Sequence, residues 1–253
     1  MESSSFYITL PSNASMDFYP NNTASNYIIH MPRTFYLQGK YEVALAEIQY
    51  PHTWKTMTDK DEFYMMIRPN DDAEDITPVS IPIGYYKSVE DLVHEINDCI
   101  LEALNHTSVS LKYHKATRKV YLKTNGYDIT FSTPLSQMLG FGTNKHSYLW
   151  YDKQTVAEQQ ADLSRGFYTL YVYCSLCEAQ VVGDYYVPLI RTVAIEGRDG
   201  DLIMKTYNNP HYVPVNTSKF DTIEINIKDD QGKNVAFESG KVLCKLHFRQ
   251  RAI

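Results

Sequence analysis

The sequence predicts an antiparallel all-β fold that carries one small α+β insertion. Residues 220–228 and 241–249 alternate between apolar and polar side chains, and a period of two over this length is typical of a half-buried strand. We expect these two strands to pair as a closing hairpin across the turn at 229–232. Only one long stretch, residues 88–104, has helical spacing, and the 21 tyrosines favour pleated, half-buried surfaces.

Seven further strands are predicted from short apolar runs that end at prolines or polar loops. They are residues 6–10, 26–31, 40–50, 62–68, 167–174, 187–196 and 212–215. The run at 167–174 has apolar residues on both faces, so we expect it to be a central strand of its sheet.

Residues 85–145 are predicted to form an inserted α+β module, so that residues 1–84 and 146–253 make up one discontinuous β domain. The module begins with a helix, because Ser88 to Asp91 resembles a capping box and apolar residues recur at helical spacing after it. No convincing helical pattern occurs outside the module, which is the organisation expected of an insertion between two β regions.

The helix is expected to lie over a three-stranded β-meander built from residues 109–131. Alternating runs flank Asn125-Gly126, a dipeptide that favours tight hairpin turns, so the strands on either side of it should pair. A short helix is predicted to start at Thr133-Pro134 and to end at Gly140.

Composition and charge place the chain among soluble globular proteins. Apolar residues make up 43% and charged residues 21%, and the net charge of −6 argues against direct nucleic-acid specificity. The first residues lack the basic and apolar regions of a secretion signal, and no apolar run is long enough to span a membrane. The four cysteines are therefore expected to be reduced thiols.

No motif in the sequence indicates catalysis, a metal or a cofactor. Cys174 and Cys177 have the spacing of half a zinc site, but the other two cysteines, Cys99 and Cys244, do not form a second pair. The eight histidines show no metal-ligand spacing, and the sequence holds no phosphate-binding loop, nucleophile elbow or dinucleotide fingerprint. We predict no enzyme activity, no catalytic residue, no cofactor and no metal.

Several segments resemble the minor capsid (penton) proteins of Polinton/Maverick elements and adintoviruses. The segments that carry the resemblance are residues 84–92, Leu139-Gly140-Phe141, 183–189, 205–215, 220–225 and 242–249. The resemblance covers nearly the whole chain. It implies an all-β single jelly-roll β-sandwich for residues 1–84 and 146–253, with the helix-plus-meander module inserted at 85–145.

The same resemblance implies the function of a penton subunit. Such a protein is made inside the host cell, assembles as a homopentamer at the fivefold vertices of an icosahedral virion, and contacts double-jelly-roll major capsid proteins. The insertion would project outward or decorate the rim. Arg198-Asp199-Gly200 occurs but Arg-Gly-Asp does not, so no integrin receptor is inferred.

Four loop residues of the best-matching segments are candidate interface residues: Pro188, Asn208, Asn209 and Pro210. Turn formation is the alternative role for each of them. The polar face of the last strand, Lys241, Lys245, His247 and Arg249, is expected to face solvent, a neighbouring subunit or the shell.

Two other classes of function stay open from the sequence. A carbohydrate- or receptor-binding attachment module would use Trp54, Trp150 and the tyrosines to stack on sugars, and these aromatics should then line a groove on one face. An enzyme would instead need a deep pocket that gathers histidines and carboxylates.

Overall fold

A computed structural model describes residues 5–58, 62–72, 74–142, 151 and 154–251. Its elements in chain order are β1 (Ser5–Pro11), β2 (Asn26–Tyr36), β3 (Tyr41–Pro51), β4 (Tyr64–Pro69), β5 (Thr77–Ser80), α1 (Val89–Leu104), β6 (Ser110–His114), β7 (Lys119–Lys123), β8 (Tyr127–Phe131), α2 (Thr133–Leu139), β9 (Thr155–Val156), β10 (Thr169–Cys174), β11 (Gln180–Val182), β12 (Tyr185–Val187), β13 (Leu189–Ala194), β14 (Leu202–Thr206), β15 (Val213–Pro214), β16 (Lys219–Lys228) and β17 (Leu243–Gln250). No helix among these residues is long and apolar enough to cross a membrane.

The chain divides into two compact units. The first consists of Met1–Trp54 and Phe167–Ile253, and the second of Lys55–Gly166. The second unit is wider than the insertion expected at 85–145, because β4 pairs with β8 and so belongs to the same unit as the helix.

The first unit is a sandwich of two antiparallel sheets. One sheet has the order β1-β17-β3-β14, with β15 also paired to β3, and the other has the order β13-β10-β16-β2. Among the eight strands on these two paths, the first pairs with the last, the second with the seventh, the third with the sixth and the fourth with the fifth. Rolling such a four-pair ribbon into two sheets produces a jelly roll, so the predicted all-β jelly-roll class is confirmed.

The core of the sandwich is filled from both sheets by alternate residues. Ile223, Ile225 and Ile227 of β16 are buried from one side, and Leu246 and Phe248 of β17 from the other. The predicted alternation of both strands is therefore confirmed, and β10 is a central strand as expected.

The predicted closing hairpin is wrong. The strand β16 pairs with β10 and β2, whereas β17 pairs with β1 and β3 in the opposite sheet. The two strands face each other across the core, and the Phe220 and Phe248 rings stack at 5.7 Å. Residues 229–242 provide enough chain to cross between the sheets, so both apolar faces can point inward from opposite sides.

The second unit contains the predicted helix α1. The Ser88 hydroxyl accepts a hydrogen bond from the Asp91 backbone N–H at 3.2 Å, which is the predicted N-terminal cap. Four apolar side chains of α1 are buried: Leu92, Val93, Ile96 and Ile100. The short helix α2 follows and ends, as predicted, at Gly140, whose φ of 86° suits glycine.

The predicted three-stranded meander is wrong. The strand β7 pairs with β6 and β9, whereas β8 pairs with β4 in a separate sheet of order β5-β4-β8. Asn125-Gly126 still forms a turn, closed by a 3.0 Å hydrogen bond from the Tyr127 N–H to the Thr124 carbonyl. The strands on either side of this turn diverge because both edges of β7 are already taken by β6 and β9.

Candidate interaction surfaces

Strands β11 and β12 form a two-stranded hairpin that pairs with neither large sheet, which we call the arm (residues 180–187). Val181 lies opposite Tyr186, and Val182 lies opposite Tyr185. Val181, Tyr185 and Tyr186 are 77%, 75% and 74% exposed, so the arm presents large apolar side chains on both faces. An exposed apolar cluster of this kind marks a binding surface more often than ordinary solvent-facing structure.

The arm borders a groove of about 950 Å³ on the outer face of the β13-β10-β16-β2 sheet, which we call the tyrosine groove. Strand alternation forms its floor: Leu170, Val172 and Cys174 of β10 fill the core, so Tyr171 and Tyr173 point outward. The other lining residues used below are Val182, Tyr185 and Val187 of the arm, Glu224, Asn226 and Lys228 of β16, and Asp229, Asp230 and Gln231 of the following loop.

Neighbouring strands hold the floor of the tyrosine groove in place. Tyr171 lies opposite Lys228, and Tyr173 lies opposite Asn226. The Lys228 ammonium is 5.7 Å from the centre of the Tyr173 ring, a cation–π distance. Burial raises the pKa of Tyr173, with a further contribution from the Tyr171 phenol. Like any protonated tyrosine hydroxyl, that of Tyr173 can donate a hydrogen bond.

A second polar and aromatic cluster lies on the outer face of the other sheet. The Tyr212 hydroxyl is 2.6 Å from His247 Nδ1, and the Tyr7 ring stacks on the His247 ring at 4.4 Å. The Arg249 guanidinium lies 3.5 Å from the Tyr212 ring centre and pairs with Glu42. Burial, and then the charge of Arg249, lower the pKa of His247, which favours a neutral imidazole.

The polar side chains of β17 are thus mostly paired with other residues of the same chain. Lys245 forms an ion pair with Glu47 at 3.0 Å, beside the contacts of His247 and Arg249. Of the four polar residues expected to face solvent or a neighbour, Lys241 and Arg249 are exposed, and Lys241 precedes β17. Contact of this face with a neighbouring subunit or the shell stays a prediction.

The structure places the four predicted interface residues in two separate locations. Pro188 lies at the base of the arm, where its carbonyl accepts a 3.1 Å hydrogen bond from the Cys174 N–H, and it lines the tyrosine groove. Asn208 and Pro210 line a groove of about 650 Å³ beside His247 on the opposite sheet, and Asn209 is exposed between them. Their role in subunit contact stays a prediction.

The sequence interpretation missed a third surface, the edge strand β14. This strand pairs with β3 through one side only, and Leu202 and Met204 are 61% and 64% exposed. Their alternation with the half-buried Ile203 is a weak strand signal, because it covers only a few residues. A sheet edge that also exposes apolar side chains tends to pair nonspecifically with strands of other chains unless another part of a protein covers it.

Cys174 and Cys177 lie in the core of the sandwich, and Trp54 packs against it. Cys174 and Cys177 are buried free thiols, and within the described ranges no three His, Cys, Asp or Glu side chains are grouped to hold a metal. Trp54 packs between Phe167 and Phe237 at the edge of the core. Trp150 lies outside the described residues.

Among the comparisons with known proteins, only the one with solved structures gives matches. No protein-family model and no curated protein matches the sequence. The crystal structure of the selenomethionine-labelled mavirus penton protein matches with a TM-score of 0.56 at 10% identity, covering 97% of this chain and 99% of that chain. A chain of the cryo-EM structure of the Sputnik virophage matches with a TM-score of 0.48 at 10% identity, covering 97% and 98%. The chain therefore has the fold of the mavirus penton protein over nearly its whole length, and the resemblance to penton proteins is confirmed in fold.

Proposed function

We propose that the chain is a structural capsid protein, a penton subunit that assembles as a homopentamer at the fivefold vertices of an icosahedral virion. The observation that carries the proposal is the full-length match to the mavirus penton protein, which spans the jelly roll together with its insertion. The segments that resemble Polinton/Maverick penton proteins lie in both parts of this fold. The role is structural rather than catalytic.

The uncovered surfaces of the sandwich support assembly into a ring. Subunits related by a fivefold axis meet through two different surfaces, because each copy contacts its neighbours head to tail. This chain has at least two separate apolar surfaces, the outer face of the arm with Val181 and Tyr186, and the β14 edge with Leu202 and Met204. Burial of both between neighbours would remove apolar area from water and protect the free sheet edge.

The proposal includes a second partner. At a vertex each pentamer is surrounded by major capsid proteins of double-jelly-roll type, and the polar face of β17 and the loop at Asn208–Pro210 are the surfaces we assign to these contacts. The loop lies in residues 205–215 and the polar face of β17 in residues 242–249, two of the segments that carry the resemblance. Asn208, Asn209 and Arg249 are exposed at these surfaces.

Negative-stain imaging and light scattering of the purified protein test the pentamer. We expect five-pointed rings and a mass five times that of one chain. The double variant Val181→Asp/Tyr186→Asp should shift the protein to monomers, because two carboxylates would be buried in the interface. The matched control is Leu101→Asp, on the exposed side of α1, which should leave the rings intact.

If pentamers form only within the shell, the purified protein alone would be monomeric. Assembly with a major capsid protein tests this possibility. The protein is therefore also mixed or coexpressed with a double-jelly-roll capsid protein, and the vertices of the resulting shells are imaged. A monomeric mass across salt and pH, together with shells whose vertices lack the protein, would refute the proposed function.

A further inference from the structure

We infer that the tyrosine groove is a binding site for neutral oligosaccharides. This activity goes beyond the capsid role, and it concerns a site on the outer face of a single subunit. The inference rests on three features of the groove, which are its aromatic rings, its planar polar side chains and its charge.

The aromatic rings provide apolar platforms. Tyr171 and Tyr173 project from one strand at alternate positions, and Tyr185 stands on the bordering arm, so three phenol rings line one groove. A pyranose ring has an apolar face of C–H groups that packs on aromatic rings, while its hydroxyls stay at the edge. Tyrosine suits such a ligand because its own hydroxyl can bond to a sugar hydroxyl at the rim.

Planar polar side chains lie between and beside the rings. Glu224 and Asn226 line the groove from β16, and Gln231 lines it from the loop. Carboxylate and amide groups can each bond to two neighbouring hydroxyls of one sugar.

The charge of the groove selects among sugars. Three carboxylates, Glu224, Asp229 and Asp230, face one ammonium, Lys228, which already lies over the Tyr173 ring. An acidic groove repels sialic acids and sulfated sugars. The groove therefore fits neutral oligosaccharides best. Sugars that carry an amine are also tolerated, because their positive charge suits an acidic groove.

Two exposed tyrosines provide a matched pair of variants. Tyr185 lines the groove, whereas Tyr36 of β2 does not, and their exposed fractions are 75% and 70%. Neither side chain supports the core, so both alanine variants should fold. Glu224→Gln is a second groove variant that removes a carboxylate acceptor without changing side-chain size.

The experiment screens the full chain on an array of neutral, sialylated and sulfated glycans and measures the best ligand by calorimetry. We expect neutral glycans to bind, Tyr185→Ala to weaken binding about tenfold, and Glu224→Gln to weaken it severalfold. Tyr36→Ala, outside both the groove and the proposed subunit contacts, should leave binding unchanged. Circular dichroism confirms that each variant is folded.

Three results would overturn the inference. They are a folded protein that binds no neutral glycan on the array, a preference for sialylated or sulfated glycans, and an equal loss of binding in the Tyr185 and Tyr36 variants. Imaging that shows a neighbouring subunit seated in the groove of every copy would overturn it as well. The proposed capsid role fails separately, through the mass and vertex measurements, so the two failures are distinguishable.

Discussion

Phe248 shows how single residues hold the two sheets together. It is fully buried on β17, and its ring stacks on Phe6 at 4.9 Å and on Phe220 at 5.7 Å. The contact with Phe220 joins the two sheets, so the residue connects layers that share no backbone hydrogen bonds there.

Replacing Phe248 by alanine should lower the free energy of unfolding by about 3–5 kcal/mol, because it leaves a cavity between the sheets. Urea denaturation followed by tryptophan fluorescence measures the change. The control Tyr36→Ala alters a 70% exposed ring and should cost less than about 1 kcal/mol. Equal losses in the two variants would contradict the assigned role of Phe248.

His247 should make stability depend on pH. Its pKa in the folded protein is lowered from 6.5 by burial and by Arg249, so the unfolded chain binds a proton more readily than the folded one. The stabilising contribution is complete above about pH 6.5 and is lost as the pH falls through the folded pKa.

Thermal melts between pH 7.5 and pH 5 measure this contribution. The wild type should lose more stability over this interval than His247→Gln, which has no proton to take up. His94→Gln is the control, because the His94 side chain is 80% exposed, and it should follow the wild type. The same pH slope in all three proteins would contradict the prediction.

At the scale of elements, local sequence signals define some elements, whereas others depend on their tertiary surroundings. The cap of α1 is a local feature, since the Ser88 hydroxyl accepts a hydrogen bond from the N–H of Asp91, only three residues later. The arm and the edge strand β14 depend instead on what surrounds them, because both leave apolar side chains uncovered in the isolated chain.

The variant Ser88→Ala should destabilise α1 by about 1 kcal/mol through loss of the cap. Hydrogen–deuterium exchange should then quicken in α1 and in β6, which α1 contacts. The sandwich strands should keep their protection. Ser80→Ala, at the exposed end of β5, is the control and should change little. Uniform loss of protection across both units would contradict a local role for the cap.

At the scale of the whole molecule, two proposals divide the surface of the sandwich. In these proposals, subunit contacts would use the outer face of the arm and the β14 edge, and sugar binding would use the groove face of the same arm. Because Tyr185 and Tyr186 point in opposite directions, one hairpin can serve both functions. The ring, vertex and glycan measurements described above test this division.

The sequence by itself determined which residues point inward. Side-chain period is a local property, so the alternation in β16 and β17 and the helical stripe of α1 could be predicted correctly. The resemblance to penton proteins supplied the jelly-roll arrangement, which periodicity does not specify.

Only the tertiary structure decided which strands pair and where the groove lies. A period of two defines the two faces of a strand but names no partner, and for this reason the closing hairpin and the meander were wrong. The tyrosine groove combines Tyr171 and Tyr173, the arm and β16, which are far apart in sequence. Pro188 was the one predicted interface residue at its margin, because loop position in the sequence does not reveal which outward side chains of distant strands become neighbours once two sheets enclose a common core.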